Sequence, residues 1–221
     1  MEIRELHAWP STPADAEAIQ DRLRPLVVEE AGPQRPATMA GLDVAYAADR
    51  LAAAVVVLDA TTFEVVEEAT AVDRPSFPYL PGLFAFRELP ALVEALRKLR
   101  TVPDLLVCDG HGLAHPRGFG LACHLGVLTG LPTMGVGKTH LIGAYDPVAP
   151  ERGSVSPLRH EGRTVGRVVR TQQGVKPVYV SVGHRIDLET ATRHLLALSP
   201  RFRLPETTRQ SDQLSRRALR V

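Results

Sequence analysis

Hydrophobic and polar positions along the chain fall into two kinds of stretch: apolar runs with a strand-like pattern, and apolar residues recurring every three or four positions. Residues 11–30 (STPADAEAIQDRLRPLVVEE) open on Ser, Thr and Pro and then follow helical spacing, which predicts an amphipathic helix and, after it, a proline-containing linker. Three strand-like runs come next, TMAGLDVAYA, RLAAAVVVLDAT and EVVEEATAVDR. Only a few residues separate them, and links that short join antiparallel neighbours, so a meander is expected. The loop PSFPYLPG leads into FAFRELPALVEALRKL, helical by its spacing, with Pro90 announcing a kink or a late start.

DLLVCDG is short, apolar and ends in Asp-Gly, the pattern of a buried parallel strand. A turn rich in Gly and His, the helix GFGLACHLGVLTG and the strand PTMGVG follow. TVGRVVRTQ and PVYVSVG predict a second pair of strands, and LETATRHLLALS and ETTRQSDQLSRRAL predict two closing helices. No repeat, low-complexity tract or hinge divides the chain, so residues 1–221 are expected to form a single domain. Three antiparallel strands followed by alternating helices and parallel strands is the order of an α/β, RNase H-like fold with a mixed β-sheet. Other α/β folds share that order.

Composition changes the picture little. Hydrophobic residues make up 44% and charged residues 23%, which suits an ordinary globular chain. No apolar run is long enough to span a membrane. The start, MEIRELHAWP, has acidic residues where a signal peptide needs basic ones, so a cytoplasmic location is expected, and nothing announces an obligate protein partner. Cys108 and Cys123 sit among apolar residues and read as small buried hydrophobes. The net charge of +1 hides an asymmetry: from Arg201 to Val221 six arginines stand against Glu206 and Asp212. That basic third is either a phosphate-binding surface or a solvated helix. Only Lys98, Lys138 and Lys176 among the 26 basic residues are lysines, so the lysine of GVGKTH stands out.

Three carboxylates lie where strands or helices would bring them together. Asp43 is inside GLDVAY, Asp109 ends DLLVCDG, and Glu88 lies near the start of FAFRELP. If the first and fourth strands are neighbours, Asp43 and Asp109 point at a common spot and Glu88 reaches in from its helix. Clustered carboxylates repel, and a hard cation is what makes the cluster tolerable. Oxygen-only ligation favours Mg²⁺ over zinc, with Mn²⁺ as a substitute. Each residue alone has a plain structural explanation, a turn Asp or a helix-surface Glu; the set in this order favours a metal site.

DVAY, PYLPGLFAFRE, DGHGLAHPRGFGLACHLG, GVGKTHLIG and KPVYVSVGHRIDLETA resemble the successive signature blocks of the endonuclease V family, from about Gly41 to the last helix. The resemblance implies a DNA repair endonuclease that recognises deaminated adenine in DNA and uses Mg²⁺. It implies hydrolysis of the second phosphodiester bond 3′ to deoxyinosine, with inosine-containing RNA left open as a further substrate. It makes Asp43, Glu88 and Asp109 the catalytic metal-binding carboxylates and Asp212 the fourth acidic position. Tyr79 becomes a wedge that stacks where the base is displaced, while His115 and Lys138 lie near the scissile phosphate. The base would rest by Gly82, Phe84, Gly110 and Gly112, the glycines allowing close backbone approach. The family usually has a small residue other than glycine before the lysine, and often an amide where His111 stands.

Two rival functions have some support. GVGKTH resembles the end of a phosphate-binding P-loop, but Pro132 stands where its first glycine belongs and the Asp-bearing strand precedes it. A nucleic-acid-binding module without catalysis would use the basic third and leave Asp43, Glu88 and Asp109 without a purpose.

Overall fold

In the computed structural model, which describes residues 1–220, the first helix begins where the sequence places its start. Thr12 caps α1 (Pro13–Leu23), its hydroxyl accepting from the Asp15 amide at 3.2 Å, and Pro13 takes the first turn. The helix is shorter than expected. A single 3₁₀ turn (Arg24–Leu26) follows it, because Pro25 has no N–H to continue the ladder, and residues 27–30 are not helical.

The expected meander is present as β1 (Thr38–Ala47), β2 (Arg50–Asp59) and β3 (Val65–Asp73). Helix α2 (Phe84–Arg97) runs through Pro90 without a break, forgoing one backbone hydrogen bond to the Phe86 carbonyl. Then come β4 (Leu105–Cys108), α3 (Leu121–Thr129) and β5 (Thr133–Gly137). Strands β1, β4 and β5 pair in parallel, completing the mixed sheet of an RNase H-like α/β fold.

The remainder departs from expectation in one respect. Instead of two further strands there are three, β6 (Val155–His160), β7 (Arg163–Val169) and β8 (Val178–His184), and all pair antiparallel, β8 with β5. The unforeseen β6 contains Pro157, which argues against a strand in sequence but is tolerated on an edge. β6 is an edge, since the sheet order is β3-β2-β1-β4-β5-β8-β7-β6. A tight turn with Glu161 and Gly162 both at positive φ (48° and 75°) joins it to β7, the geometry that suits a two-residue hairpin. Helices α4 (Leu188–Leu198) and α5 (Glu206–Ala218) follow. Among the described residues no helix is long and apolar enough to cross a membrane.

Helices cover both faces of the sheet at its centre. On β2, Ala53, Val55 and Val57 join a core with α2 residues such as Leu89, Leu92 and Leu96, while Ala54, Val56 and Leu58 meet Leu214 of α5. This double covering explains why β2 is apolar at consecutive positions rather than alternate ones. α5 lies very close to β1: a Cβ placed on Gly41 would stand 2.1 Å from the Thr207 carbonyl oxygen. Gly41→Ala must therefore push α5 off the sheet. A loss of about 1–3 kcal/mol is expected, the usual penalty of overpacking, read by urea unfolding; unchanged stability would contradict the packing.

Candidate active site

Register decides which carboxylates meet. β1 and β4 align Leu42 with Cys108, so Asp43 and Asp109 are the next residues on neighbouring parallel strands, and the Asp109 amide donates to the Leu42 carbonyl at 3.2 Å. Alternation sends Leu42 and Val44 toward α2 and turns Asp43 toward α5, where Ser215 Oγ donates to its Oδ2 at 2.8 Å. Glu88 enters from the buried side of α2 and accepts from the Tyr46 hydroxyl at 2.9 Å. Asp109 is paired with Lys138, which follows the end of β5. Asp43, Tyr46, Glu88, Asp109 and Lys138 line one cavity of about 870 Å³, together with Asp212 and Arg216 of α5.

The electrostatics follow from burial. Glu88 has 4% of its surface exposed, and its carboxyl is pushed well above the usual range by that burial, with Asp43 and Asp109 adding to the effect. Burial raises Asp109 to about 7; Lys138 works against the rise and the neighbouring Asp43 adds to it. Burial opposes the charge on Lys138, yet Asp109, Asp43 and Asp212 outweigh it and raise the ammonium. Among the described residues no three Asp, Glu, His or Cys side chains stand close enough together to hold a cation as they are placed. Asp43, Glu88 and Asp109 are instead engaged by Ser215, Tyr46 and Lys138. The donors are all carboxyl oxygens lining one cavity, a set that suits a hard divalent cation.

Asp212 faces the same cavity but is held by Arg216 through Nε and Nη2 at 3.0 and 2.9 Å. On the rim Tyr79 is 69% exposed, packed edge-on against Phe84 with ring centroids 5.9 Å apart. Its loop is pinned on either side: Arg87 donates to the Phe77 carbonyl at 2.7 Å and His115 Nε2 to the Gly82 carbonyl at 2.9 Å. Gly82, at φ 79°, and Gly110 line the cavity.

Gly112 does not line the cavity. It is buried against β8, where a Cβ would stand 1.9 Å from the Val182 carbonyl oxygen, and its amide donates to Ser181 Oγ. Packing alone requires a glycine here. His115 lines the cavity, but both ring nitrogens are spent, Nε2–H on Gly82 and Nδ1 accepting from the Arg117 amide at 3.2 Å. The P-loop alternative fails on structure, since no helix follows Lys138 and Thr139. Sequence reasoning missed Tyr46, Arg87, Ser215 and Arg216. Tyr46 had a signal, being three residues after Asp43 and thus on the opposite, α2-facing side of the strand.

A family model described as Endonuclease V matches residues 21–213. The chain belongs to the endonuclease V family. An Endonuclease V of Streptomyces avermitilis is 58% identical over 224 residues, covering 99% of this chain and 97% of that protein. The crystal structure of Endonuclease V from Streptomyces avermitilis superposes with a TM-score of 0.92 at 54% identity, covering 100% of this chain and 98% of the other. A Ciona intestinalis Endonuclease V, solved with a 24mer DNA containing an inosine followed by a ribo-adenosine, gives a TM-score of 0.83 at 26% identity over 94% of this chain and 97% of the other. Endonuclease V membership makes this chain a nuclease. A Cβ on Gly137 would stand 2.3 Å from the His111 ring, so the glycine before Lys138 makes room for the imidazole.

Burial lowers His115 to about 4 from an ordinary 6.5. A depressed histidine leaves the folded state with fewer bound protons than the unfolded chain between those values, so its stability is full above about 6.5 and lost as pH falls toward 4. His115→Gln should flatten that acid loss relative to wild type by on the order of 3 kcal/mol, measured by urea unfolding at a series of pH values. Parallel curves would show that the ring is not held neutral.

Proposed function

We propose that the chain is a divalent-metal-dependent endonuclease that recognises deoxyinosine in DNA and hydrolyses the second phosphodiester bond 3′ to it, leaving 3′-hydroxyl and 5′-phosphate ends. One observation carries this reading: a single cavity has buried carboxylates on its wall and an exposed tyrosine on a pinned loop at its rim. Family membership and the inosine-containing DNA held by the Ciona relative point to the same chemistry.

Asp43, Glu88 and Asp109 would hold magnesium, or manganese in its place, with Asp212 as a fourth acidic contact. When bound, the cation would activate water and neutralise charge building on the phosphate. Lys138 competes for Asp109 and stands ready to meet a phosphate oxygen as a point charge. Tyr46 and Ser215 keep Glu88 and Asp43 oriented. The first turn of α2 has no side-chain cap, and Gly82, Phe84 and Ala85 at its opening line the cavity, offering backbone N–H groups to the oxygen of a flipped hypoxanthine. Tyr79 would fill the space left in the duplex.

Asp43→Ala and Asp109→Ala should abolish cleavage of inosine-containing duplex in magnesium while leaving its binding intact, because removing a carboxylate from a phosphate site relieves repulsion. Near-wild-type turnover in either folded variant would overturn the ligand assignment. Tyr79→Ala should weaken binding and cleavage by about one to two powers of ten, since base–aromatic stacking is worth roughly 1–3 kcal/mol. Tyr79→Phe should lose little, and equal losses on undamaged duplex would remove the wedge role.

A further inference from the structure

Helix α1 carries one residue that its packing does not call for. Its buried positions are Ala16, Gln20 and Leu23, spaced as the inward stripe of an amphipathic helix, and Gln20 is the polar one, with no exposed surface. A leucine or methionine fills such a position without desolvating an amide. Gln20 Nε2 lies 2.8 Å from the Gly82 carbonyl and 3.3 Å from the Phe119 carbonyl, while Oε1 is buried with no partner. Both neighbours of the nitrogen are acceptors, so its two N–H groups must face them. The unmet acceptor is unfavourable. What offsets it is a tie between two loops.

Gly82 belongs to the loop that presents Tyr79, and Phe119 immediately precedes Gly120 on the cavity wall. The Gly82 carbonyl also receives the His115 hydrogen bond, so both its lone pairs are engaged, from α1 on one side and from the 115–120 loop on the other. The turn it belongs to is closed by the Leu83 amide on the Leu80 carbonyl at 3.0 Å. Gln20 itself does not line the cavity, and residue 20 lies outside the span that the family model matches.

We infer that Gln20 is a positioning residue for lesion recognition, its amide fixing the Gly82 turn against the 115–120 loop and so setting where Tyr79 stands relative to the wall that receives the base. This rests on the deoxyinosine reading of the same cavity. Gln20 touches no carboxylate, so its effect falls on selection of the lesion and not on the hydrolytic step.

Gln20→Met keeps the shape and removes both donors. Two measurements test it: amide hydrogen exchange of the protein alone, and steady-state cleavage of matched inosine and undamaged duplexes in magnesium. Exchange at the Leu83 amide should quicken about tenfold while amides of β1 and β2 keep wild-type rates. KM for the inosine duplex should rise about tenfold with kcat changed less than about threefold, and preference over undamaged duplex should fall by the same factor, the size expected when two neutral hydrogen bonds leave a preorganised turn. Exchange that rises equally throughout the sheet, with equal losses on both duplexes, would overturn the inference by making Gln20 a plain stabiliser of α1. Unchanged exchange at Leu83 would overturn it too. If the wild-type protein shows no preference for inosine, the deoxyinosine reading fails on its own, and the exchange measurement still decides whether Gln20 holds the turn.

Discussion

Carboxyl groups that face one another in a cavity wall repel, and burial removes the water that would screen them. Much of what surrounds Asp43, Glu88 and Asp109 answers that constraint. The register of β1 against β4 fixes two of them as nearest neighbours, and α2 brings the third from the opposite face of the sheet. Ser215, Tyr46 and Lys138 each meet one of the three. Only Lys138 among these partners carries charge, so three acidic groups share one ammonium, and a proton or a cation must complete the balance. A divalent ion that binds this arrangement and not the unfolded chain would also stabilise the fold, so the proposed chemistry and the stability of the protein are linked.

The loop that carries Tyr79 answers a different demand. An exposed aromatic ring acts as a wedge only if the backbone beneath it resists displacement. Pro78 and Pro81 restrict the chain on either side of the ring. Side chains from three separate elements hold the carbonyls of Phe77 and Gly82. The ring is exposed at its tip and fixed at its root.

What the sequence disclosed follows the range of the forces involved. The meander and the buried central strands were legible because apolar runs and short links are local signals, and β1 occupies the run read for it. β6 was not legible, since an edge strand with one covered face and a proline has almost no pattern of its own. At the site, Asp43, Glu88, Asp109 and Tyr79 stood out by residue type and motif, and the structure places them on one cavity. The packing demand at Gly112 was not legible, because a glycine freed for substrate and a glycine required by packing look alike until the neighbouring strand is in place. Gln20 and Arg216 were missed for the same reason: what each one does is defined by a partner, and for Gln20 that partner is far away in sequence.

The docking of α5 on Gly41 has a consequence for the order of events in the cell. Strands β1 and β4 and helix α2 leave the ribosome well before residues 206–218, so Asp43, Glu88 and Asp109 are synthesised while the side that carries Ser215, Asp212 and Arg216 is still missing. Until that helix settles against β1, Asp43 lacks its hydroxyl partner and the cavity lacks one flank. The cavity is therefore closed last by its most C-terminal element, and its acidic residues wait for the final helix before their surroundings are complete.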